Sequence, residues 1–205
     1  MKFSDMTVAQ FLGALASPDP TPGGGTASAI AGAMAASLLV MVSGLAKSHT
    51  NTDVEKEALA AARQALQPLS ATLVDLADAD SAAFDDVLSA YRLPKATDDE
   101  KAARSAAIQS ALQGATVVPL HTLRACTEAL AHAGVVAACG NRSAVSDVGV
   151  AIGLLEAAAA GAEANVRINL GSVRDLHFTS ATGDETGRLV SDAARLAAAA
   201  RAHLG

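Results

Sequence analysis

Apolar residues recur along most of this chain at steps of three and four, the spacing of one helix face. The strict alternation of a half-buried strand is almost absent. Ser4-Asp5-Met6-Thr7 reads as the capped start of a short helix ending near Ala16, with Val8, Phe11, Leu12 and Leu15 on one face. Pro18, Pro20 and Pro22 stop it. Thr26 to Val42 follows as an uninterrupted run of small and apolar residues, in which Ser28, Gly32 and Ala36 lie four apart and allow a close helix approach. Asp53 then opens a long helix to about Tyr91, kinked at Pro68. Thr97 with Glu100 forms a capping box for another, running to about Ala133 and bent near Pro119. Asn141, Ser143 or Ser146 caps a helix to roughly Asn169, ended by Gly171, and Asp184 opens a last one to His203 with Arg188, Arg195 and Arg201 on a solvated face. The expectation is an all-α bundle of long antiparallel Ala-rich helices around a buried helix launched by glycines, forming a single domain over residues 1–205.

Two places interrupt this pattern. Leu59, Ala62, Leu66, Leu69, Leu73, Leu76, Phe84, Val87 and Tyr91 make one apolar stripe, and the rung between Leu76 and Phe84 falls on Asp80. A carboxylate there is costly to bury unless paired, hydrogen-bonded or protonated, which makes Asp80 the sharpest candidate for chemistry. Phe84, one turn on, shares its patch. The alternative is a rotation of the helix after Pro68 that exposes Asp80. Asp78, Asp85 and Asp86 lie off the stripe and read as solvated. The second place is Pro20-Thr21-Pro22-Gly23-Gly24-Gly25-Thr26, where side chains vanish just before a helix N-terminus. Such a loop suits an electron-rich group brought close to backbone N–H donors, or simply a tight turn. It matches neither the phosphate-loop nor the dinucleotide spacing.

Composition narrows the function. The chain is 51 % hydrophobic but only 2 % aromatic, and much of the apolar share is alanine, a helix former. A net charge of −6 argues against nucleic acid as partner. Pro20 to Ala46 carries no charge and is long enough to span a bilayer. Its Ala, Gly, Ser and Thr content and the lack of an aromatic belt favour a central helix buried on all sides. Cys126 and Cys139 have no paired or zinc-like spacing, so reduced thiols in a cytoplasmic protein are expected. The histidines at 49, 121, 132, 177 and 203 lack ligand spacing, so a metal site is not expected.

Asp147, after the Asn141/Ser143/Ser146 cluster, is a second candidate acid, or an answer to the helix dipole. Asn165 and Asn169, four apart, face together and could donate to a ligand or cap their own backbone.

In combination, several of these stretches resemble the cyclodeaminase/cyclohydrolase family. They are Pro20-Thr21-Pro22-Gly23-Gly24-Gly25, Asp80-Ser81-Ala82-Ala83-Phe84, Leu93-Pro94-Lys95-Ala96-Thr97 running into Glu100-Lys101-Ala102-Ala103-Arg104, Val118-Pro119-Leu120, Gly140-Asn141 with Ser146-Asp147, and Asn165-Val166 with Ile168-Asn169. They cover nearly the whole chain in family order. The resemblance implies an all-α homodimer acting on one-carbon tetrahydrofolates without metal or nucleotide. It places Asp80 and Asp147 in catalysis, and Pro22, Gly23, Gly24, Gly25, Ser28, Phe84, Lys95, Asn141, Asn165 and Asn169 against substrate. One departure is Ala46-Lys47-Ser48-His49-Thr50-Asn51, where the family carries a basic and aromatic cluster suited to the folate tail. The reaction expected is hydrolysis of 5,10-methenyltetrahydrofolate to 10-formyltetrahydrofolate, favoured because no formiminotransferase domain is present. The alternatives are formiminotetrahydrofolate cyclodeamination and a non-enzymatic helical interaction protein.

Overall fold

The computed structural model describes residues 2–45 and 51–205, and within them the expected all-α bundle of long antiparallel helices stands without any strand. The helices are α1 (Val8–Leu15), α2 (Gly24–Gly44), α3 (Asp53–Arg92), α4 (Asp98–Cys139), α5 (Val145–Leu170) and α6 (Leu176–Arg201), with 3₁₀ turns at Phe3–Asp5 and Arg142–Ala144. Three helices start from the same device. Thr7 with Gln10, Thr52 with Glu55 and Thr97 with Glu100 each pair a threonine hydroxyl with one orphan N–H and a returning side chain with another. Thr52, not Asp53, is therefore the cap of α3.

The ends of two helices differ from expectation. α4 runs through Gly134 to Cys139, because fully buried Ala133 and Val136 reward the continuation more than one interior glycine costs, about 1 kcal/mol. α6 begins at Leu176, where Asp175 accepts from the Phe178 N–H at 3.0 Å. Its first turns read as polar loop in sequence, yet Thr182 and Thr186 are buried, and Thr186 Oγ1 donates to the Thr182 carbonyl.

α2 packs on α3, α4 and α5, α4 also packs on α3, α5 and α6, and α5 on α6. One apolar core joins these five helices through fully buried Leu39, Leu66, Leu73, Leu123, Leu130, Ile152 and Leu155, with Ala197 and Ala200 contributed by α6. Close approach of α2 to α5 depends on Gly161: a Cβ there would run into Ser28 Oγ and stand 3.3 Å from Ser28 Cβ. Cys126 sits inside this core with its thiol pushed up to about 12 by burial, so it behaves as a small hydrophobe.

α2 is not enclosed on every side, contrary to the sequence expectation. Met34 and Met41 are 50 % and 43 % exposed, in an apolar groove of about 610 Å³ shared with Ile30, Leu38, Val74 and Leu154. By length and hydropathy, α2 and the 142–170 stretch could each cross a bilayer, but these are helices that build the core. The apolar face of α1 is likewise uncovered: no α1 residue is buried, and Val8 and Leu12 face outward. What fixes the N-terminus is Asp78, expected to be solvated. Its carboxylate accepts from the Phe3 N–H at 2.6 Å and from Ser4 Oγ at 2.7 Å.

A second, smaller cluster of Ala90, Ile108, Leu112 and Val173 ties the end of α3 to the start of α4 and to the segment before α6. This cluster frames the end of the bundle where the chemistry-bearing residues gather.

Candidate active site

Asp80 lies on the α3 stripe at the point where α2 begins. Its carboxylate is half-buried and accepts a hydrogen bond from Thr26 Oγ1 at 2.9 Å and another from the Thr26 backbone N–H. That N–H belongs to the first turn of α2, whose donors have no intrahelical partner. The first intrahelical bond runs from Ala27 N–H to the Gly23 carbonyl. A carboxylate at a helix N-terminus is electrostatically favoured. Burial nevertheless dominates and holds the Asp80 carboxyl above the usual range, with the Thr26 bonds pulling it partly back. No lysine or arginine pairs with Asp80 among the described residues.

The glycines serve this contact by omission of a side chain. Gly23 is the N-cap in extended backbone, and Gly24 and Gly25 are the first helical residues, so none needs a left-handed conformation. At Gly25, however, a Cβ would stand 2.6 Å from Asp80 Cγ and 2.7 Å from Oδ2. Only glycine lets the carboxylate reach Thr26.

Asp80 and this loop line a cavity of about 310 Å³ together with Phe84, Leu112, Asn165 and Asn169. Asn165 Nδ2 donates to the Gly161 carbonyl at 2.8 Å, and Asn169 Nδ2 to the Ala115 carbonyl at 2.8 Å. Both amides are thereby pinned at the cavity wall, and among the described residues no hydrogen-bond donor reaches either Oδ1. Phe84, 37 % exposed, gives the cavity an aromatic side.

Other sequence candidates fall elsewhere. Pro22 is buried behind the loop, after a cis Thr21–Pro22 peptide bond. Ser28 is also behind it, where its Oγ donates to the Gly24 carbonyl at 2.7 Å and packs on Gly161. Lys95 is exposed on the α3–α4 loop and does not line the cavity. Asn141 caps the 3₁₀ turn through the Ser143 N–H. Asp147 occupies the first turn of α5, and α5 rises about 27 Å between Asp147 and Asn165 at 1.5 Å per residue. The chain therefore does not itself bring Asp147 or Asn141 to Asp80, unlike the grouping expected from sequence. Of the stretch 46–51, residues 46–50 lie outside the described residues. Asn51 Nδ2 donates to the Cys139 carbonyl.

Sequence reasoning missed Thr26, the partner of Asp80, and Leu112 and Ala115, which close the cavity from α4. The signal for Thr26 was its place directly after the three glycines. No three His, Cys, Asp or Glu side chains cluster among the described residues.

Comparison with known proteins gives a consistent picture. The family described as formiminotransferase-cyclodeaminase matches residues 7–188. The chain is 43 % identical to a methenyltetrahydrofolate cyclohydrolase of Methylorubrum extorquens, covering 93 % of this chain and 91 % of that protein. It is 32 % identical to the formimidoyltransferase-cyclodeaminase of Rattus norvegicus over 95 % of this chain, which spans only 36 % of that longer protein. Among solved structures, formiminotetrahydrofolate cyclodeaminase from Thermotoga maritima superposes with a TM-score of 0.87 at 25 % identity, covering 99 % of this chain and 98 % of that one.

Proposed function

The chain belongs to the formiminotransferase-cyclodeaminase family, and from that premise we propose that it is a methenyltetrahydrofolate cyclohydrolase. Its reaction converts 5,10-methenyltetrahydrofolate and water to 10-formyltetrahydrofolate, and the observation that carries this reading is the half-buried Asp80 carboxylate in its cavity, held by Thr26 and with no lysine or arginine paired to it among the described residues. The substrate's one-carbon unit is an amidinium cation shared by N5 and N10. A carboxylate lacking a cationic partner in partly desolvated surroundings attracts such a group more strongly than water would. Asp80 accepts a proton as water adds to the amidinium carbon, giving a neutral tetrahedral adduct. It returns that proton to N5 as the C–N5 bond breaks. The adduct's hydroxyl proton leaves to solvent, so the net products are the N10-formyl compound and one proton. Phe84 flanks the flat ring system, and Asn165 and Asn169 offer acceptors to its amino and amide groups.

The greater identity and near-complete overlap with the Methylorubrum protein favour hydrolysis. Formiminotetrahydrofolate cyclodeamination is the second reading, supported by the Thermotoga cyclodeaminase of nearly equal length. That likeness leaves chain length no argument between the two reactions. The two reactions share the methenyl cation, with ammonia leaving where water would add. Purified protein is expected to accelerate the loss of methenyltetrahydrofolate near-ultraviolet absorbance well above the buffer rate. Ammonia release from formiminotetrahydrofolate with no such acceleration would transfer the assignment to the second reading.

The same reading includes a cytoplasmic homodimer. The open α2 groove around Met34 and Met41 supports it, since a second copy would cover apolar surface larger than lone exposed residues account for. Light scattering after size exclusion is expected to give twice the chain mass of 20.4 kDa, and Met34→Glu to shift it toward the monomer.

A further inference from the structure

A second cavity, of about 500 Å³, opens between the first turns of α4 and the segment before α6, lined by Tyr91, Arg104, Ser105, Gln109, Leu112 and Arg174 among others. Its two cations are positioned by neutral groups. Arg104 Nε and Nη2 donate to the Tyr91 carbonyl at 3.2 and 3.0 Å, and the guanidinium stands over the Tyr91 ring, 5.6 Å from its centroid. Arg174 Nη1 donates to Ser105 Oγ at 3.2 Å, while its backbone N–H donates to Gln109 Oε1 at 2.7 Å. Among the described residues neither guanidinium has a carboxylate partner, and no acid lines their cavity. In a chain of net charge −6, two arginines converging on a cavity without an acid mark a place for an anion. Guanidinium forks suit carboxylates in particular.

The cavity is placed to serve the one that holds Asp80, because Leu112 lines both. On α4 the Asp80 cavity is walled by Leu112 and Ala115, and the second by residues from Arg104 to Leu112. Their centres are thus separated by roughly 9 Å of helix rise. In a folate, the glutamate carboxylates lie roughly 9–11 Å beyond N10 by ordinary bond lengths, across a p-aminobenzoyl amide. We infer that the Arg104–Arg174 cavity seats the glutamate carboxylates of the folate substrate, with the p-aminobenzoyl group passing over Leu112. This assignment rests on the folate reading above and adds the residues that recognise the tail. It also gives Arg104, at the end of the Leu93-to-Arg104 stretch, a role that the reaction at Asp80 leaves open.

The test compares methenyltetrahydrofolate with methenyltetrahydropteroate, which lacks the glutamate. Arg174→Gln is expected to raise KM for the first about tenfold with kcat unchanged, and Arg104→Gln/Arg174→Gln to raise it further. Neither change should alter KM for the second, which in the unmodified protein should already be at least tenfold higher. A fully active protein whose KM ignores both arginines overturns the tail site and leaves the cyclohydrolase reading standing. Inactivity of the unmodified protein on both substrates overturns the two together. Because Arg104 also holds the end of α3, calorimetry on the unmodified protein gives a second readout. p-Aminobenzoylglutamate is expected to bind at least tenfold more tightly than p-aminobenzoate, and equal affinity overturns the assignment.

Discussion

Asp80→Asn is expected to lower kcat about 10³-fold while leaving the protein folded and no less heat-stable. Asparagine keeps an Oδ1 that accepts from the Thr26 hydroxyl and N–H, so the contact that orients the side chain survives. What disappears is the negative charge that attracts the amidinium and the site that takes the water proton. Stability moves the other way. The folded-state pKa of Asp80 is raised, so this group stabilises the fold fully only below its unfolded pKa, and that contribution is lost as pH rises through the folded value. At neutral pH the ionised carboxylate is a burial cost that asparagine removes, and the melting temperature should stay level or rise. The same shift sets the pH profile. Asp80 must be ionised to act as base, so activity is lost on acidification through a pKa above the usual carboxylate range, and the acidic limb should sit correspondingly high. A stable Asp80→Asn protein with near-normal turnover would exclude the mechanism.

The second large effect is expected from a single methyl group. Gly25→Ala places a Cβ 2.6 Å from Asp80 Cγ, and because α2 and α3 are fixed by the core beneath them, the short Asp80 side chain must yield. It can do so only by leaving Thr26 and turning away from the loop. Alanine is the better helix residue by up to about 1 kcal/mol, so the backbone of α2 does not suffer. The predicted protein has unchanged circular dichroism, a melting temperature within a few degrees of the original, and activity reduced about 10²-fold or more. Unreduced turnover would mean that the Asp80–Thr26 contact does not matter to the reaction.

These two outcomes separate charge from placement at one side chain, and the way Asp80 came to notice shows how much the pattern alone can say. Its position on a leucine stripe was visible because a helix repeats every 3.6 residues, so one polar rung among Leu73, Leu76 and Phe84 stands out without any knowledge of neighbours. The Thr97 capping box and the proline-ended first helix were readable for the same reason: their partners lie within one turn. Where helix ends depended on packing, local rules failed. The fourth helix looked finished near Ala133 until Ala133 and Val136 proved buried, and the polar start of α6 looked like loop until Asp175 and Thr182 were seen in place.

The primary sequence, then, determined that this chain is an all-α bundle, that the α3 stripe from Leu59 to Leu76 faces inward, and which carboxylate is out of place. All of these are statements about residues a few positions apart. Only the tertiary structure decided that Thr26, fifty-four positions before Asp80, is its partner, that Gly25 is required by that side chain rather than by its own backbone angles, and that Asp147 sits at the far end of α5. It also left α2 open along Met34 and Met41 and brought Arg104 and Arg174 to one cavity. The physical reason is the same in each case. Contacts between helices are set by how three or four of them pack at once, and no local periodicity encodes which rung of one meets which rung of another.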